Sequence, residues 1–142
     1  MAFNVLVVDD STVMRAMVIK SLRLCGLALH EIHEASNGAE ALQTLADHWV
    51  DLVLLDVNMP IMNGEELLTR VRANPDTTDL PVIIVSTEGS DTRIAALKQK
   101  GAEFIHKPFT PETLREVVMA MTGVSDAQRM EDSPVAGNGP DF

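Results

Sequence analysis

The sequence predicts an α/β fold in which helices cover both faces of a five-stranded parallel sheet. Short apolar runs alternate along the chain with segments whose apolar side chains recur at helical spacing. Five such strand–helix units in succession are typical of a doubly wound parallel sheet. Val5–Val8, Leu52–Leu55 and Val82–Val85 are apolar at every position, as expected of strands that are buried on both faces.

The two remaining strands are predicted to lie at the edges of the sheet. Glu31–Ala35 and Glu103–His106 carry polar residues, which favours partial exposure. The first, third and fourth strands are then central, and the strand order 2-1-3-4-5 satisfies this arrangement. That order places a topological switch point between the first and third strands, where ligands bind in open α/β sheets.

The first two helices are predicted from apolar side chains at helical spacing. The first carries Met14, Met17, Val18, Leu22 and Cys25 on one face, which we expect to be core. Gly26 follows this helix as a C-terminal cap. The second helix begins after the capping segment 36–38 and carries Leu42, Leu45, Ala46 and Trp49.

The other three helices have the same kind of support. The third opens at Asn63 and Gly64 and carries Leu67, Leu68 and Val71. The fourth carries Ile94 and Leu97 and ends at Gly101. The fifth carries Leu114, Val117, Val118 and Met121, with Thr110 as the N-cap, Pro111 at the first helical position and Gly123 at the far end.

The domain is predicted to cover residues 1–123. At 142 residues the chain has room for one domain with a substantial core. Apolar periodicity stops near Val124, and residues 124–142 have the composition of a mobile, acidic C-terminal tail.

Composition excludes several classes of function. The net charge of −10 argues against binding to nucleic acid or to an anionic membrane surface, because both need basic patches. No apolar run approaches membrane-spanning length, and the N-terminus does not resemble a signal peptide. The single cysteine, Cys25, cannot form an internal disulfide and fits a reducing compartment. We therefore expect a cytoplasmic protein.

Side chains suited to phosphoryl chemistry follow four of the predicted strands. Asp9 and Asp10 follow the first strand, Asp56 the third, Ser86 the fourth and Lys107 the fifth. Because the carboxyl ends of parallel strands meet at one edge of the sheet, we expect these side chains to share one site. Three carboxylates suit a hard divalent cation such as Mg²⁺. One aspartate can also act as a nucleophile, while the cation and the lysine offset the phosphoryl charge.

Four motifs in this order resemble the receiver domain of two-component response regulators. They are Val7–Asp10, Asp56–Gly64, Ser86–Glu88 and Lys107–Phe109, and the resemblance runs from about Asn4 to Thr122. It is closest to the stand-alone chemotaxis regulators of the CheY type, whose fold is flavodoxin-like with the strand order given above.

The resemblance implies roles for the residues around the acidic cluster. Asp56 matches the phospho-acceptor. Asp10 matches the direct ligand of Mg²⁺, with Asp9 acting largely through water and Asp56 completing the carboxylate set. The backbone carbonyl of Asn58 matches a further ligand.

The resemblance also implies how the domain switches. Lys107 matches the lysine that pairs with the phosphoryl group, and Ser86 matches the hydroxyl that moves toward it. Phe104 falls at the switch aromatic position. Asn58 and Glu88 flank the acceptor at positions that tune the lifetime of the phosphorylated state.

The implied function is that of a stand-alone response regulator in a phosphorelay, with chemotaxis signalling as its setting. A sensor histidine kinase or phosphotransfer protein would donate the phosphoryl group to Asp56. The surface of the fourth helix, fifth strand and fifth helix would bind a target such as a flagellar motor switch component, and a phosphatase is a possible further partner. Such a protein catalyses only its own phosphotransfer and autodephosphorylation.

Three alternatives stay open from the residues alone. A phosphate shuttle or sink would carry the same motifs. An aspartate-nucleophile phosphatase could use Asp56 and Asn58 as a degenerate form of its two-carboxylate motif, although Asn58 replaces the general acid. A phosphate-independent interaction module would have no physical need to crowd three carboxylates together.

Outside these motifs we predict ordinary structural roles. His30 and His33 are three residues apart but lack a further ligand candidate, so a metal site there is not expected. Arg15 follows the acidic pair and could help to screen its charge, although solvation at the surface is the favoured expectation.

Overall fold

The computed structural model contains the strands and helices that the sequence predicts, and it describes residues 2–56, 64–87, 91–107 and 109–122. The strands are β1 (Phe3–Val8), β2 (Leu29–Ala35), β3 (Leu52–Leu55), β4 (Val82–Ser86) and β5 (Glu103–His106). The helices are α1 (Thr12–Leu24), α2 (Gly38–Asp47), α3 (Gly64–Ala73), α4 (Asp91–Gln99) and α5 (Pro111–Thr122).

The sheet confirms the predicted order, β2-β1-β3-β4-β5, and every neighbouring pair is parallel. The register pairs Val8 with Ala35 on one side and with Leu55 on the other. Leu55 in turn pairs with Ile84. β1 and β3 therefore end level with each other, whereas β4 continues from Ile84 to Ser86, and this register fixes the position of the residues that follow the strands.

Alternating strand side chains divide the core into two layers. Leu6, Val8 and Leu55 lie on one face of the sheet, with the buried side chains of α2, α3 and α4: Ala41, Leu67, Leu68, Val71 and Leu97. Val5, Val7 and Leu54 lie on the other face, with the buried side chains of α1 and α5: Val18, Leu22, Leu114 and Val118. Because the central strands are buried on both faces, their uninterrupted apolar sequence is explained.

The predicted helix caps are present where the structure describes them. The Asn37 side chain accepts a hydrogen bond from the Glu40 N–H at 2.9 Å, and Thr110 Oγ1 accepts one from the Thr113 N–H at 3.1 Å. Gly26 and Gly101 follow α1 and α4 at φ values of 84° and 83°. These values lie in the left-handed region, where a side chain is strained, so glycine is the residue that ends these helices at low cost.

Two side chains predicted to pack on the sheet are exposed. Met17 is 57% exposed, because Val18, Leu22 and Cys25 form the buried stripe of α1 and Met17 lies one position away from it. Trp49 is 78% exposed, because α2 ends at Asp47 and its C-cap His48 is already extended. The helical spacing that linked Trp49 to Leu42 and Leu45 therefore extends beyond the helix.

Some predictions lie outside the described residues. These are Asn63 at the start of the third helix, Gly123 at the end of the fifth, and the tail from Val124 onward. The division into a domain of residues 1–123 and a tail of 124–142 therefore stays a prediction. Among the residues that are described, no helix combines the length and apolar character needed to cross a membrane.

The Arg72 guanidinium joins two loops at the amino-terminal end of β4 and β5. Its Nε donates to the carbonyl of Lys100 at 2.7 Å, and its Nη1 donates to the carbonyls of Leu80 at 2.7 Å and Thr78 at 3.2 Å. Burial lowers the pKa of Arg72, and the nearby Asp79 carboxylate partly offsets that effect. One side chain on α3 thereby supplies hydrogen bonds to the segments that lead into two strands.

Replacing Arg72 should therefore destabilise the domain. Arg72→Ala is expected to lower the free energy of unfolding by about 2 kcal/mol, because several backbone carbonyls lose a charged donor at once. Urea denaturation followed by circular dichroism measures the change.

Arg70→Ala is the matched control, since Arg70 lies on the same helix and, among the described residues, makes only an exposed ion pair with Glu66 at 3.6 Å. That variant should lose less than about 0.5 kcal/mol. Equal losses in the two variants would contradict the bridging role of Arg72.

Candidate functional site

Asp9 and Asp10 lie where β1 ends and α1 is about to begin. The Asp9 N–H donates to the carbonyl of Ala35 at 3.1 Å, which extends the β1–β2 pairing by one residue. The Asp9 carboxylate accepts the N–H of Ser11 at 2.9 Å, and Ser11 in turn caps α1 by accepting the Met14 N–H at 3.2 Å. Asp9 is only 4% exposed. Its carboxylate is thus held in place by the same turn that starts the helix.

Asp56 follows β3 and is brought beside the acidic pair by the sheet. Its N–H donates to the carbonyl of Val8 at 2.9 Å, so the β1–β3 pairing continues up to Asp56 itself. Carboxylate oxygens of Asp9, Asp10 and Asp56 all lie within 4.8 Å of one another. Within the described ranges, this is the one group of three or more His, Cys, Asp or Glu side chains close enough to hold a metal ion.

Lys107, which follows the edge strand β5, brings a positive charge to the three carboxylates. Its N–H donates to the carbonyl of Ser86 at 2.9 Å, which sets the end of β5 against the end of β4. Its Nζ lies 3.6 Å from Asp9 Oδ2, and the two side chains are 14% and 5% exposed. Ser86 is the last residue of β4 and is 1% exposed. Ser86 and Lys107 thus lie at the same edge of the sheet as the carboxylates.

Arg15 belongs to the edge of this site, which contradicts the expectation that it is solvated. Its side chain is 13% exposed, its Nη1 donates to the backbone carbonyl of Asp9 at 2.6 Å, and its Nε pairs with Glu34 at 3.0 Å. Arg15 is on the first turns of α1, and Glu34 is on β2. The partners Asp9 and Glu34 lie 6 and 19 residues from Arg15 and outside α1, so helical or strand periodicity does not predict the contacts.

A cavity of about 330 Å³ adjoins the cluster, and its lining is largely apolar. The lining residues are Met14, Met17, Val18, Ser21, Thr87, Lys107 and Phe109. Phe109 also packs against the core beneath α1 and α5. Sequence reasoning included Phe109 in a motif but did not predict that it would form this wall beside Lys107.

Phe104 lies on the edge strand β5 and pairs with Ile84 of β4. It is partly buried against the core beneath α2, α3 and α4. Its ring centroid lies 6.1 Å from that of His106. The side chain therefore sits at the boundary between the core and the surface that α4 and β5 share.

Two of the candidate site residues lie outside the described part of the chain. Asn58, with its backbone carbonyl, and Glu88 are in segments 57–63 and 88–90. Their roles stay predictions.

The charges at this edge define what it can do chemically. Asp9, Asp10 and Asp56 contribute three negative charges when ionised, against one positive charge from Lys107. Carboxylate oxygens are hard ligands of the kind that Mg²⁺ selects, and a divalent cation would balance the remaining charge. The residues present therefore fit a site for Mg²⁺. The half-buried Asp56 carboxylate is also placed to act as a nucleophile.

The comparisons with known proteins agree on one family. Residues 5–119 match the model of the response regulator receiver domain. The chain is 38% identical over 125 residues to a chemotaxis protein CheY1 of Helicobacter pylori, covering 87% of this chain and 99% of the relative. It is 39% identical over 127 residues to a chemotaxis protein CheY homolog of Campylobacter jejuni, covering 88% and 96%.

Solved structures give the same result for the fold. The chemotaxis protein CheY4 of Vibrio cholerae superposes with a TM-score of 0.75 at 34% identity, covering 85% of this chain and 99% of that one. The receiver domain of NtrX from Brucella abortus superposes with a TM-score of 0.74 at 30% identity, covering 85% and 99%.

Mg²⁺ is expected to stabilise the domain by relieving repulsion among the three carboxylates. At a Mg²⁺ concentration ten times the dissociation constant, the melting temperature should rise by about 5 °C. Asp10→Ala should abolish the rise, since it removes the exposed ligand without disturbing the core. Glu116→Ala on α5 is a control with the same loss of charge outside the site. A rise of equal size in the wild type and in Asp10→Ala would overturn the metal assignment.

Lys107 should oppose Mg²⁺ binding, because it already balances part of the charge on Asp9. Lys107→Gln is therefore expected to bind Mg²⁺ about threefold to tenfold more tightly than the wild type. Isothermal titration calorimetry at one fixed ionic strength measures the change. An unchanged or weaker affinity would show that the 3.6 Å pair does not influence the carboxylates.

Proposed function

The chain belongs to the response regulator receiver domain family, and we propose that it is a chemotaxis response regulator switched by a phosphoryl group on Asp56. As a receiver domain of the CheY type it is a signalling switch and not an enzyme in the main sense. The observation that carries the proposal is the clustering of Asp9, Asp10 and Asp56 within 4.8 Å, with Lys107 beside them.

In the proposed transfer, a carboxylate oxygen of Asp56 attacks the phosphorus of a phosphohistidine on the donor. The phosphorus–nitrogen bond breaks as the acyl phosphate forms, and the imidazole leaves with its bonding electron pair and takes up a proton. The pairing of Asp56 N–H with the Val8 carbonyl holds the nucleophile at the sheet edge. Its half-exposed position leaves it open to a donor from solvent.

The acidic residues and Lys107 provide the charge balance for this step. Asp9, Asp10 and Asp56, with the backbone carbonyl of Asn58, would hold Mg²⁺. Bound there, the ion would offset the negative charge on the phosphoryl oxygens and orient them. Lys107 supplies a second positive charge, and the hydrogen bond from its N–H to Ser86 keeps the base of its side chain at the same edge.

The return step is hydrolysis of the acyl phosphate. Water attacks phosphorus in line with the Asp56 oxygen, the phosphorus–oxygen bond breaks, and inorganic phosphate leaves. We assign Asn58 and Glu88 to positions that orient or obstruct this water and thus set the lifetime. The protein thereby catalyses only its own phosphotransfer and autodephosphorylation.

The switch is proposed to run from Ser86 to Phe104. A phosphoryl group on Asp56 would attract the Ser86 hydroxyl, and the space that this movement leaves at the end of β4 would admit the neighbouring aromatic side chain. Phe104 pairs with Ile84 across the sheet and lies at the edge of the core, so a small shift changes how much of it is exposed. The surface affected is formed by α4, β5 and α5.

The partners follow from this scheme. A sensor histidine kinase or a phosphotransfer protein donates the phosphoryl group, and a target binds the α4–β5–α5 surface. The curated relatives are named chemotaxis proteins, which supports a component of the flagellar motor switch as the target. A phosphatase is a further proposed partner. The same names favour this role over that of a phosphate shuttle or sink.

We also place the protein in the cytoplasm. A phosphohistidine donor is formed from ATP, which that compartment supplies. The lone cysteine, Cys25, is buried against α1 and takes part in no disulfide, which fits a reducing environment.

Intact mass after incubation with acetyl phosphate and Mg²⁺ tests the proposal. The wild type should gain one phosphoryl group, and Asp56→Asn should gain none, because an amide cannot form the acyl phosphate. Removing Mg²⁺ with EDTA should suppress the adduct in the wild type.

Asp51→Asn is the matched control, since Asp51 lies just before β3 and Asp56 just after it. That variant should be phosphorylated like the wild type. No adduct in the wild type, even after a rapid acid quench, would instead favour a phosphate-independent interaction module.

A further inference from the structure

An exposed tryptophan is held in a fixed position at the opposite end of the sheet from the carboxylates. Trp49 is the only tryptophan of the chain, and 78% of its surface is exposed. Its Nε1 donates to Asp51 Oδ1 at 2.9 Å, while Asp51 Oδ2 accepts the Asn4 N–H at 2.8 Å. The indole is therefore oriented by a carboxylate that is itself fixed to β1. An exposed aromatic side chain that needs no reordering on binding is typical of an interaction anchor.

Trp49 lines a groove of about 780 Å³ between two loops. One wall is the segment 45–51, which leads from α2 into β3, and the other is the segment 75–81, which leads from α3 into β4. Both segments precede their strands, whereas the phosphoryl site follows them. The groove and the phosphoryl site are therefore separated by the full length of the central strands.

The residues that line the groove carry negative charge. Four aspartates line it, Asp47, Asp51, Asp76 and Asp79, and its lining residues include no lysine and no arginine. Asp51 is occupied by Trp49 and Asn4, and Asp47 accepts the Gln43 side-chain amide at 2.9 Å. Asp76 and Asp79 are both exposed.

The basic and imidazole side chains nearest the groove do not cancel this charge. Arg72 keeps its positive charge while it hydrogen-bonds the carbonyls of Thr78, Leu80 and Lys100, and it interacts with Asp79. It therefore offsets only part of the charge of the four aspartates. His48 lines the groove, and its ring stacks on that of His33 with a centroid distance of 4.3 Å. The groove thus combines an aromatic face with a negative potential.

We propose that this groove binds a basic segment of a partner protein. An arginine or lysine side chain of that segment would lie on the indole face of Trp49, where the ring quadrupole attracts a cation. Neighbouring basic residues would face Asp76 and Asp79. The 780 Å³ of the groove is enough for several side chains of an extended peptide.

The charge of the chain makes two other occupants of the groove unfavourable: its own C-terminal residues and a second copy of the chain. Residues 123–142 contain Asp126, Glu131, Asp132 and Asp141 against the single basic residue Arg129. A second copy of the chain brings a net charge of −10. Neither complements an acidic groove. A partner bound there would leave the carboxylate end of the sheet open, so both ends could be occupied at the same time.

Trp49 itself reports on the proposed binding. The probe is an acetylated, amidated heptapeptide of alternating arginine and glycine, and the same peptide with citrulline in place of arginine removes the charge at constant shape. Titration of the full chain at low ionic strength with the arginine peptide should shift the Trp49 emission to shorter wavelength. It should also reduce quenching by acrylamide, in a saturable manner, while the citrulline peptide should change neither.

Two double variants separate the groove from general attraction to an acidic protein. Asp76→Asn with Asp79→Asn should weaken peptide binding by about tenfold, because both exposed carboxylates of the groove are lost. Glu112→Gln with Glu116→Gln removes the same charge from α5 and should weaken it by less than about twofold. Trp49→Ala, followed by NMR of the backbone amides, should weaken it by about threefold to fivefold.

Three results would contradict the proposal. No saturable change in emission with the arginine peptide would exclude the groove as its site. Equal weakening by the two double variants would show that the peptide senses only net charge. If the arginine peptide shifts the backbone amides of Trp49→Ala by the same amount and at the same peptide concentration as in the wild type, Trp49 does not contribute to binding.

Discussion

The rest of the structure depends on one constraint: three carboxylates that repel one another are held at the same edge of a sheet. Backbone hydrogen bonds hold these residues in place. Asp9 N–H pairs with Ala35 and Asp56 N–H pairs with Val8, so the sheet continues up to the acidic residues themselves. Burial of the central strands on both faces makes that sheet rigid. The sheet therefore keeps the three carboxylates within 4.8 Å of one another, where like charges repel.

Lys107 offsets part of this repulsion. It reaches the cluster from β5, an edge strand, and lies 3.6 Å from Asp9. In the absence of other charge it compensates the carboxylates only in part, since three negative charges face one ammonium. Any cation or phosphoryl group that enters must rearrange this pairing. The charge of the carboxylates is balanced in one way when a cation binds and in another when a phosphoryl group binds. Such a site is a suitable basis for a two-state switch.

Strand order and site position were predictable because they depend on features that are local in sequence. Continuous apolar runs identify the central strands, and polar residues in Glu31–Ala35 and Glu103–His106 identify the edges. Once the order is known, residues at strand ends must meet, so Asp10 and Asp56 could be placed together without a structure. The roles of Asn58 and Glu88 rested on the family resemblance.

The predictions that failed depended on where an element ends or on contacts between different elements. Trp49 has the spacing of a helical residue, but the backbone becomes extended at His48 and the side chain emerges into solvent. Met17 lies one position away from the buried stripe of α1. The spacing of apolar residues in the sequence does not locate the buried face of a helix to within one residue. Arg15 is partly buried by its contacts with the carbonyl of Asp9, which follows β1, and with Glu34 on β2.

The two ends of the sheet differ in how they present negative charge, and that difference suggests separate uses. At the carboxyl ends, Asp9 is nearly buried and the carboxylates converge on a point, which suits a small, hard ion and a phosphoryl group. At the amino-terminal ends, Asp76 and Asp79 are exposed along a groove beside an aromatic ring, which suits an extended cationic surface. The rigid strands that connect the two ends separate them without requiring them to communicate. If the groove binds the proposed basic segment, the receiver can be held by one partner while it exchanges phosphoryl groups with another, and the acidic composition of the chain then serves recognition.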